Sequence, residues 1–149
     1  MRDTEESAVL SLDFSKLDSV AGCVPVVVQL ADTREVAFVA FTDEAAMREA
    51  FRARRLVLYS TTRGEMWEKG ATSGHRYELV GARVNCEQNS LLYLVRPLPG
   101  NAPGGICHTA NAAGVAREVC YYREINLDTL KLEFRDGKDM GDKKDNASS

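Results

Sequence analysis

The chain has no basic excess: 19 lysines and arginines stand against 22 aspartates and glutamates, a net charge of −3. A surface that neutralises nucleic-acid phosphates needs such an excess, so no nucleic-acid partner is expected. It also lacks the aromatic-basic stripe on which single strands stack. No apolar run approaches the width of a bilayer; stretches such as "VPVVVQL" at 24–30 are far too short, so no membrane partner is expected. The N-terminal "MRDTEESAVLSLDFSK" is charged and carries no continuous apolar segment, so no signal peptide is expected. There is no internal repeat and no C-x-x-C pair, which excludes zinc fingers and ribbons. These absences describe a soluble cytoplasmic protein whose four cysteines are not expected to form disulfides. At 149 residues, with 44% hydrophobic and 28% charged, it is long enough and apolar enough for one globular core.

What is present is largely β-forming. "VPVVVQL" and "EVAFVAF" at 35–41 are rich in β-branched and aromatic residues, and the turn-type "ADTR" between them predicts a hairpin. In "TDEAAMREAFRARR", Thr42 or Asp43 can cap a helix. Asp43 and Glu44 suit the positive end of that helix, and Arg52, Arg54 and Arg55 its negative end. Met47, Ala50 and Phe51 form its apolar stripe. "LVLYS" at 56–60 predicts a strand, "YELVGARV" and "SLLYLV" two more around "NCEQN", and "VCYYREI" at 119–125 a last one. The stretch "TTRGEMWEKGATSGHR" reads as a polar loop, and "RPLPGNAPGG", with three prolines and three glycines, as irregular. From Arg135 onward "RDGKDMGDKKDNASS" reads as a disordered charged tail. The expected fold is α+β, with about six strands of mostly antiparallel sheet and one clear helix. It forms a compact single domain over 1–134, with a tail at 135–149.

Four short segments could carry chemistry. Twenty residues separate Cys86 from Cys107, and 12 separate Cys107 from Cys120. Three thiolates match the ligand count of a catalytic zinc site, which keeps its fourth position for water. Scattered cysteines are more often small buried hydrophobes, and that alternative stays open. In "GGICHTA", adjacent residues on an extended backbone point to opposite sides, so Cys107 and His108 do not both ligate one metal. Cys107 as ligand with His108 as proton shuttle is the better arrangement, against the plain alternative of a surface histidine. "WEKGATSGH" joins Trp67, Lys69, Thr72, Ser73 and His75 with two glycines. Its hydroxyls and N–H groups can hold a phosphate, with Lys69 as a point charge and Arg63 as a bidentate fork. In "VNCEQNS" (84–90), polar side chains stand at the mouth of an apolar strand. They cost free energy unless paired or bound, so this is either an ordinary turn or half a site.

"WEKGATSGH", the cysteine-centred polar stretch, "CHT" and the later cysteine before aromatics together resemble phosphoribosyl-AMP cyclohydrolase of histidine biosynthesis. "LYSTTRGEMWEKG" is similar to that family's Tyr/Trp-Ser-x-Ser-Arg-x-x-x-Trp-x-Lys-Gly pattern, and the likeness runs in order over 24–125. The resemblance implies a homodimeric hydrolase that opens the adenine ring of phosphoribosyl-AMP at N1–C6. It implies zinc on Cys86, Cys107 and Cys120, with His108 catalytic. It also implies substrate contacts from Arg63, Trp67, Lys69, Thr72, Ser73, Gly74 and His75.

Two departures matter. Where the family has Asp-Cys-Asp-x-Asp, with the aspartates on a magnesium-type ion, this chain has Asn85, Glu87 and Asn89. In a strand these would share one face, with Cys86 on the other. A hard cation prefers charged oxygens, so the magnesium site is expected to be weak or lost. Glu87 is then left as general base or sole anionic ligand. The spacer from Cys107 to Cys120 is also longer than the family's, which costs little in loop closure. Two alternatives follow: a diverged zinc hydrolase or deaminase acting on a related purine nucleotide, or a non-catalytic module with a structural zinc.

Overall fold

The computed structural model describes residues 22–135 and, upstream of them, Leu12. The N-terminal stretch read as lacking a signal peptide and the tail after Arg135 lie outside the described residues, Leu12 excepted. The chain gathers into two compact units, one ending at Asn101 and the other beginning at Ala102.

Among its described residues the first unit is a six-stranded sheet with one α-helix. β1 (Val24–Leu30) and β2 (Val36–Thr42) form the expected antiparallel hairpin, with Arg34 in the left-handed region at its turn. The helix α1 (Glu44–Ala53) follows at once. Of its two candidate caps Asp43 serves: its side chain accepts from Ala46 N–H, and Arg54 ends the helix in a left-handed conformation. Ala46, Met47 and Ala50 are its buried face, and Phe51 meets Tyr93 with ring centroids 6.0 Å apart.

β3 (Val57–Ser60) returns beside β2 and continues into β4 (Glu65–Glu68). β5 (Tyr77–Val84) and β6 (Leu91–Pro97) make a second hairpin, and β6 lies parallel to β1. The strand order is β4-β3-β2-β1-β6-β5, so every pairing but one is antiparallel. Alternation in β1 buries Val24, Val26, Val28 and Leu30 against Leu91, Tyr93 and Val95 of β6.

The sheet curls, because the head of β5 bonds to the residues leading into β3. Leu56 N–H donates to Tyr77 O at 3.2 Å, and Leu79 N–H donates to Arg54 O at 3.0 Å. That closure covers backbone groups that an open edge would leave bare. Among the described residues, no helix is long and apolar enough to cross a membrane.

The second unit is mostly irregular. Among its described residues one sheet pairs β7 (Arg123–Ile125) with β8 (Leu132–Phe134). The α+β class, the single described helix and the antiparallel bias are as the sequence predicts, but three details differ. "EMWE" in the expected polar loop is the strand β4. "VCYYREI" is a strand only over its last three residues, because Ile106, Cys107 and Arg117 spend their backbone groups on a different pairing upstream. "NCEQN" is a turn and not extended, because Gln88 adopts φ +54° and Asn85 bonds back onto the chain.

Candidate active site

The turn from β5 to β6 is built by its own amides. Asn85 Oδ1 accepts from Asn89 N–H at 2.9 Å and from Ser90 N–H at 3.0 Å, while Asn85 N–H donates to Ser90 O. Asn85 Nδ2 donates to Asn89 Oδ1 at 2.6 Å, and Asn89 Nδ2 reaches Glu87 Oε2 at 3.4 Å. The three side chains expected on one strand face therefore sit in a hydrogen-bonded row around a turn. Three carboxylates so placed would repel one another without a cation between them. The two asparagines supply N–H donors instead. Gln88 is buried at the centre of the turn, and Cys86 is exposed.

Cys107 and His108 lie on a segment laid against 116–118. Gly105 N–H donates to Ala116 O, Cys107 N–H to Arg117 O at 3.0 Å, and Arg117 N–H to Thr109 O at 3.0 Å. The two backbones approach so closely at Gly105 that a Cβ there would collide with Glu118 Cα and the Arg117 carbonyl. Gly105, before Cys107, is thus needed for the close contact of two backbones. The longer spacer folds over this pairing as a turn, in which Asn111 Oδ1 accepts from Ala113 N–H and Val115 N–H. Cys107 is buried and its neighbour His108 exposed, the opposite-sided arrangement expected of adjacent extended residues. Thr109 N–H points at Cys107 Sγ at 3.4 Å, and the Thr109 hydroxyl lies 3.0 Å from the same sulfur.

The loop after Trp67 is closed on itself. Gly70, at φ +88°, sits where a Cβ would collide with the His75 carbonyl, and Gly74 N–H donates to Gly70 O at 2.8 Å. The glycine thus lets the loop approach its own backbone closely. Thr72, Ser73 and Gly74 are exposed at the tip, and Ser73 Oγ accepts from His75 N–H. Lys69 is half-buried, with Nζ 6.0 Å from the Phe38 ring centroid, and Trp67 is half-buried on β4. Arg63 lies exposed in the turn between β3 and β4, its N–H bonded to Ser60 Oγ. The length of β4, about 10 Å at 3.3 Å per residue, separates Arg63 from Lys69 and the loop. Sequence reasoning missed the brace beneath the loop. Glu68 pairs with Arg55 at 3.2 Å and with Arg76 at 3.8 Å, pinning both ends of 69–76. Its signal was the acid inside "WEKG" with arginines before and after, a pattern that only the strand pairing makes meaningful.

Cys86 belongs to the first unit, and Cys107 and Cys120 to the second. Within neither unit do three His, Cys, Asp or Glu side chains among the described residues gather as a metal-binding group. No disulfide joins the four cysteines. Cys23 stands apart, 3% exposed at the start of β1, its thiol pushed up by burial and then by the charge of Asp43.

Comparison with known proteins bears on all of these segments. The phosphoribosyl-AMP cyclohydrolase family model matches residues 38–122, more than half of the chain. The chain is 35% identical to the phosphoribosyl-AMP cyclohydrolase of Halobacterium salinarum over 133 residues, which cover 87% of this chain and 95% of that one. The enzyme of the same name from Hyphomonas neptunium is 36% identical over 111 residues, 74% of this chain and 76% of its own. A bifunctional histidine biosynthesis protein of Deinococcus radiodurans is 37% identical over 126 residues, 84% of this chain and 53% of its own length. The matched span runs from β2 through Tyr122 and takes in the loop after Trp67, the amide turn and the Cys107 segment. The chain therefore belongs to the phosphoribosyl-AMP cyclohydrolase family, hydrolases that act on a cyclic C–N bond.

Proposed function

We propose that the chain hydrolyses the N1–C6 bond of the adenine ring of phosphoribosyl-AMP, in the cytoplasm, with a zinc ion held by Cys86, Cys107 and Cys120. The observation that carries this reading is the family match, which spans all three cysteines, the loop after Trp67 and the Cys-His-Thr segment. The residues fit such an ion. Thiolates are zinc's preferred soft ligands, none of these is in a disulfide, and the Thr109 N–H already donates to Cys107 Sγ, as groups around a metal-bound sulfur do. Zinc bound there would act as a Lewis acid that makes water a nucleophile near neutral pH.

The chain's own side chains supply the rest. His108, exposed beside the buried Cys107, takes a proton from the attacking water and returns one to N1 as the N1–C6 bond breaks. Lys69, Arg63 and the hydroxyls of Thr72 and Ser73 hold phosphate and ribose, with Trp67, Gly74 and His75 lining the same loop. Glu87 serves as an auxiliary base or the sole anionic ligand of a second cation. A magnesium site there is weak or lost, because the Asn85 and Asn89 amides donate to their neighbours where a cation would need charged oxygens. The same amides favour a second reading, zinc-dependent hydrolysis or deamination of a related purine nucleotide. The homodimer that the family resemblance implies is supported by one sheet face. Val27, Val39 and Leu92 share it by register, and Val39 is 48% exposed. A second copy of the chain would cover that surface.

One preparation tests these readings together. Purified protein is expected to carry about one zinc per chain, to open the ring of phosphoribosyl-AMP in an ultraviolet assay, and to sediment at twice 16.4 kDa. Cys107→Ala or His108→Ala should lower turnover by about a thousandfold or more. Zinc without ring opening would sink the first reading, and a panel of purine nucleotides would then decide the second.

A further inference from the structure

His108 is bracketed by a single residue. Arg117 accepts from the N–H of Cys107 on one side and donates to the carbonyl of Thr109 on the other, each at 3.0 Å. Its side chain is almost fully buried, with 5% exposure. The guanidinium lies 4.1 Å from the Tyr122 ring centroid and 5.9 Å from that of Phe134. Those two rings stack on each other, with centroids 6.1 Å apart and planes 14° from parallel. The β7–β8 register, which pairs Arg123 with Phe134, sets where the outer ring stands. Arg135 fastens the same hairpin by donating to the carbonyls of Tyr121 and Tyr122. Tyr122 is the last residue of the family-matched span, and Phe134 lies beyond it.

A guanidinium taken out of water must be held by its surroundings, and a planar cation stacked on aromatic faces is held in one orientation. A side chain locked in this way prevents its own backbone from sliding along the partner segment. The partner segment here carries Cys107 inward and His108 outward, so a slip of one residue would exchange their sides. We propose that Arg117 is a positioning residue for His108, and that Phe134 of the C-terminal hairpin is the outer half of the brace that holds it. The proposal rests on the reading of His108 as the proton-transferring residue.

The test uses the full zinc-loaded chain with Phe134→Ala and, separately, Arg117→Lys, which keeps the charge and loses the planar stack. Three quantities are read: zinc content, kcat and KM for ring opening, and hydrogen exchange of the amides at 105–109. Zinc content and KM are expected within about twofold of the parent, kcat about tenfold lower, and exchange at the Cys107 amide about tenfold faster. Parental exchange in both variants would overturn the brace. Faster exchange with parental kcat would overturn its bearing on His108. A parent protein that opens no ring would remove the functional reading instead. Exchange alone would then judge the brace, with equal rates in variant and parent counting against it.

Discussion

Cys86 and Cys107 sit on short segments that hold their shape by different means. The turn carrying Cys86 is local: Asn85 binds residues four and five positions on, and the side chains at 85, 87 and 89 satisfy one another. The segment carrying Cys107 is held from outside, by backbone bonds to 116–118 and by a glycine contact that leaves no room for a Cβ. The first thiol is accordingly exposed and the second buried. A local turn tolerates change in the rest of the fold but depends on the chemistry of its few side chains. A segment held from outside depends on whatever presses it against its partner, and it fails when the approach of two backbones is blocked.

The sharpest way to break the comparison is Gly105→Ala. Gly105 needs no left-handed backbone, so alanine is penalised only by its collision with Glu118 and Arg117. Separating the two backbones should cost about 3 kcal/mol, the upper range for overpacking. It should show in chemical denaturation as loss of the second unit's stability, with hydrogen exchange at 105–109 rising while the β1–β2 hairpin keeps its protection. Equal loss in both regions would mean that Gly105 is not a local contact.

The complementary change acts on the other turn. Replacing both asparagines (Asn85→Asp with Asn89→Asp) keeps the acceptor oxygens but removes the two N–H donors and adds two charges beside Glu87. The turn should then require a cation. Without magnesium the variant is expected to lose about 1–2 kcal/mol, from broken hydrogen bonds and like-charge repulsion. Millimolar magnesium should restore most of it, while the parent's melting temperature stays indifferent to the ion. A parent that shows the same magnesium response would mean that its amides do not exclude the metal.

How much of this was legible in the sequence follows the same division. Local signals worked. Runs of β-branched, aromatic and other apolar residues placed β1, β2, β3, β5 and β6, and the acid before the helix supplied its cap. What depended on a distant partner did not. β4 is an edge strand whose residues are exposed or half-buried, so its polar sequence carries no alternation and only pairing with β3 makes it a strand. Val119 and Tyr122 have strand-like chemistry, yet Arg117 commits the backbone nearby to the Cys107 segment, and regular pairing resumes only at Arg123. The candidate residues were named by residue type and spacing and then by resemblance, and what the sequence withheld was their support. The Asn85–Asn89 bond, the Glu68 brace and the Arg117 stack each join residues whose proximity only the fold creates.

The effect confined to alkaline pH, and nil at neutral pH, separates the two units by titration. Tyr77 and Tyr93 are buried in the first unit. Burial pushes the Tyr77 phenol up from 10.0 to about 12, and it raises Tyr93 in the same direction. In the unfolded chain these phenols ionise near 10. Between pH 10 and 12 the unfolded state therefore loses protons that the folded state keeps, and stability falls as pH rises. The contribution is complete below pH 10 and gone once the folded phenol ionises. Denaturation of the parent at pH 9 and 11.5 should show the first unit losing stability over this interval. Tyr77→Phe should reduce the loss, and a Tyr121→Phe control in the second unit, where that ring is 50% exposed, should leave it unchanged. If Tyr77→Phe leaves the alkaline slope untouched, the phenol is not desolvated in the native state. The curl of β5 against Arg54–Leu56, which buries it, would then be open in solution.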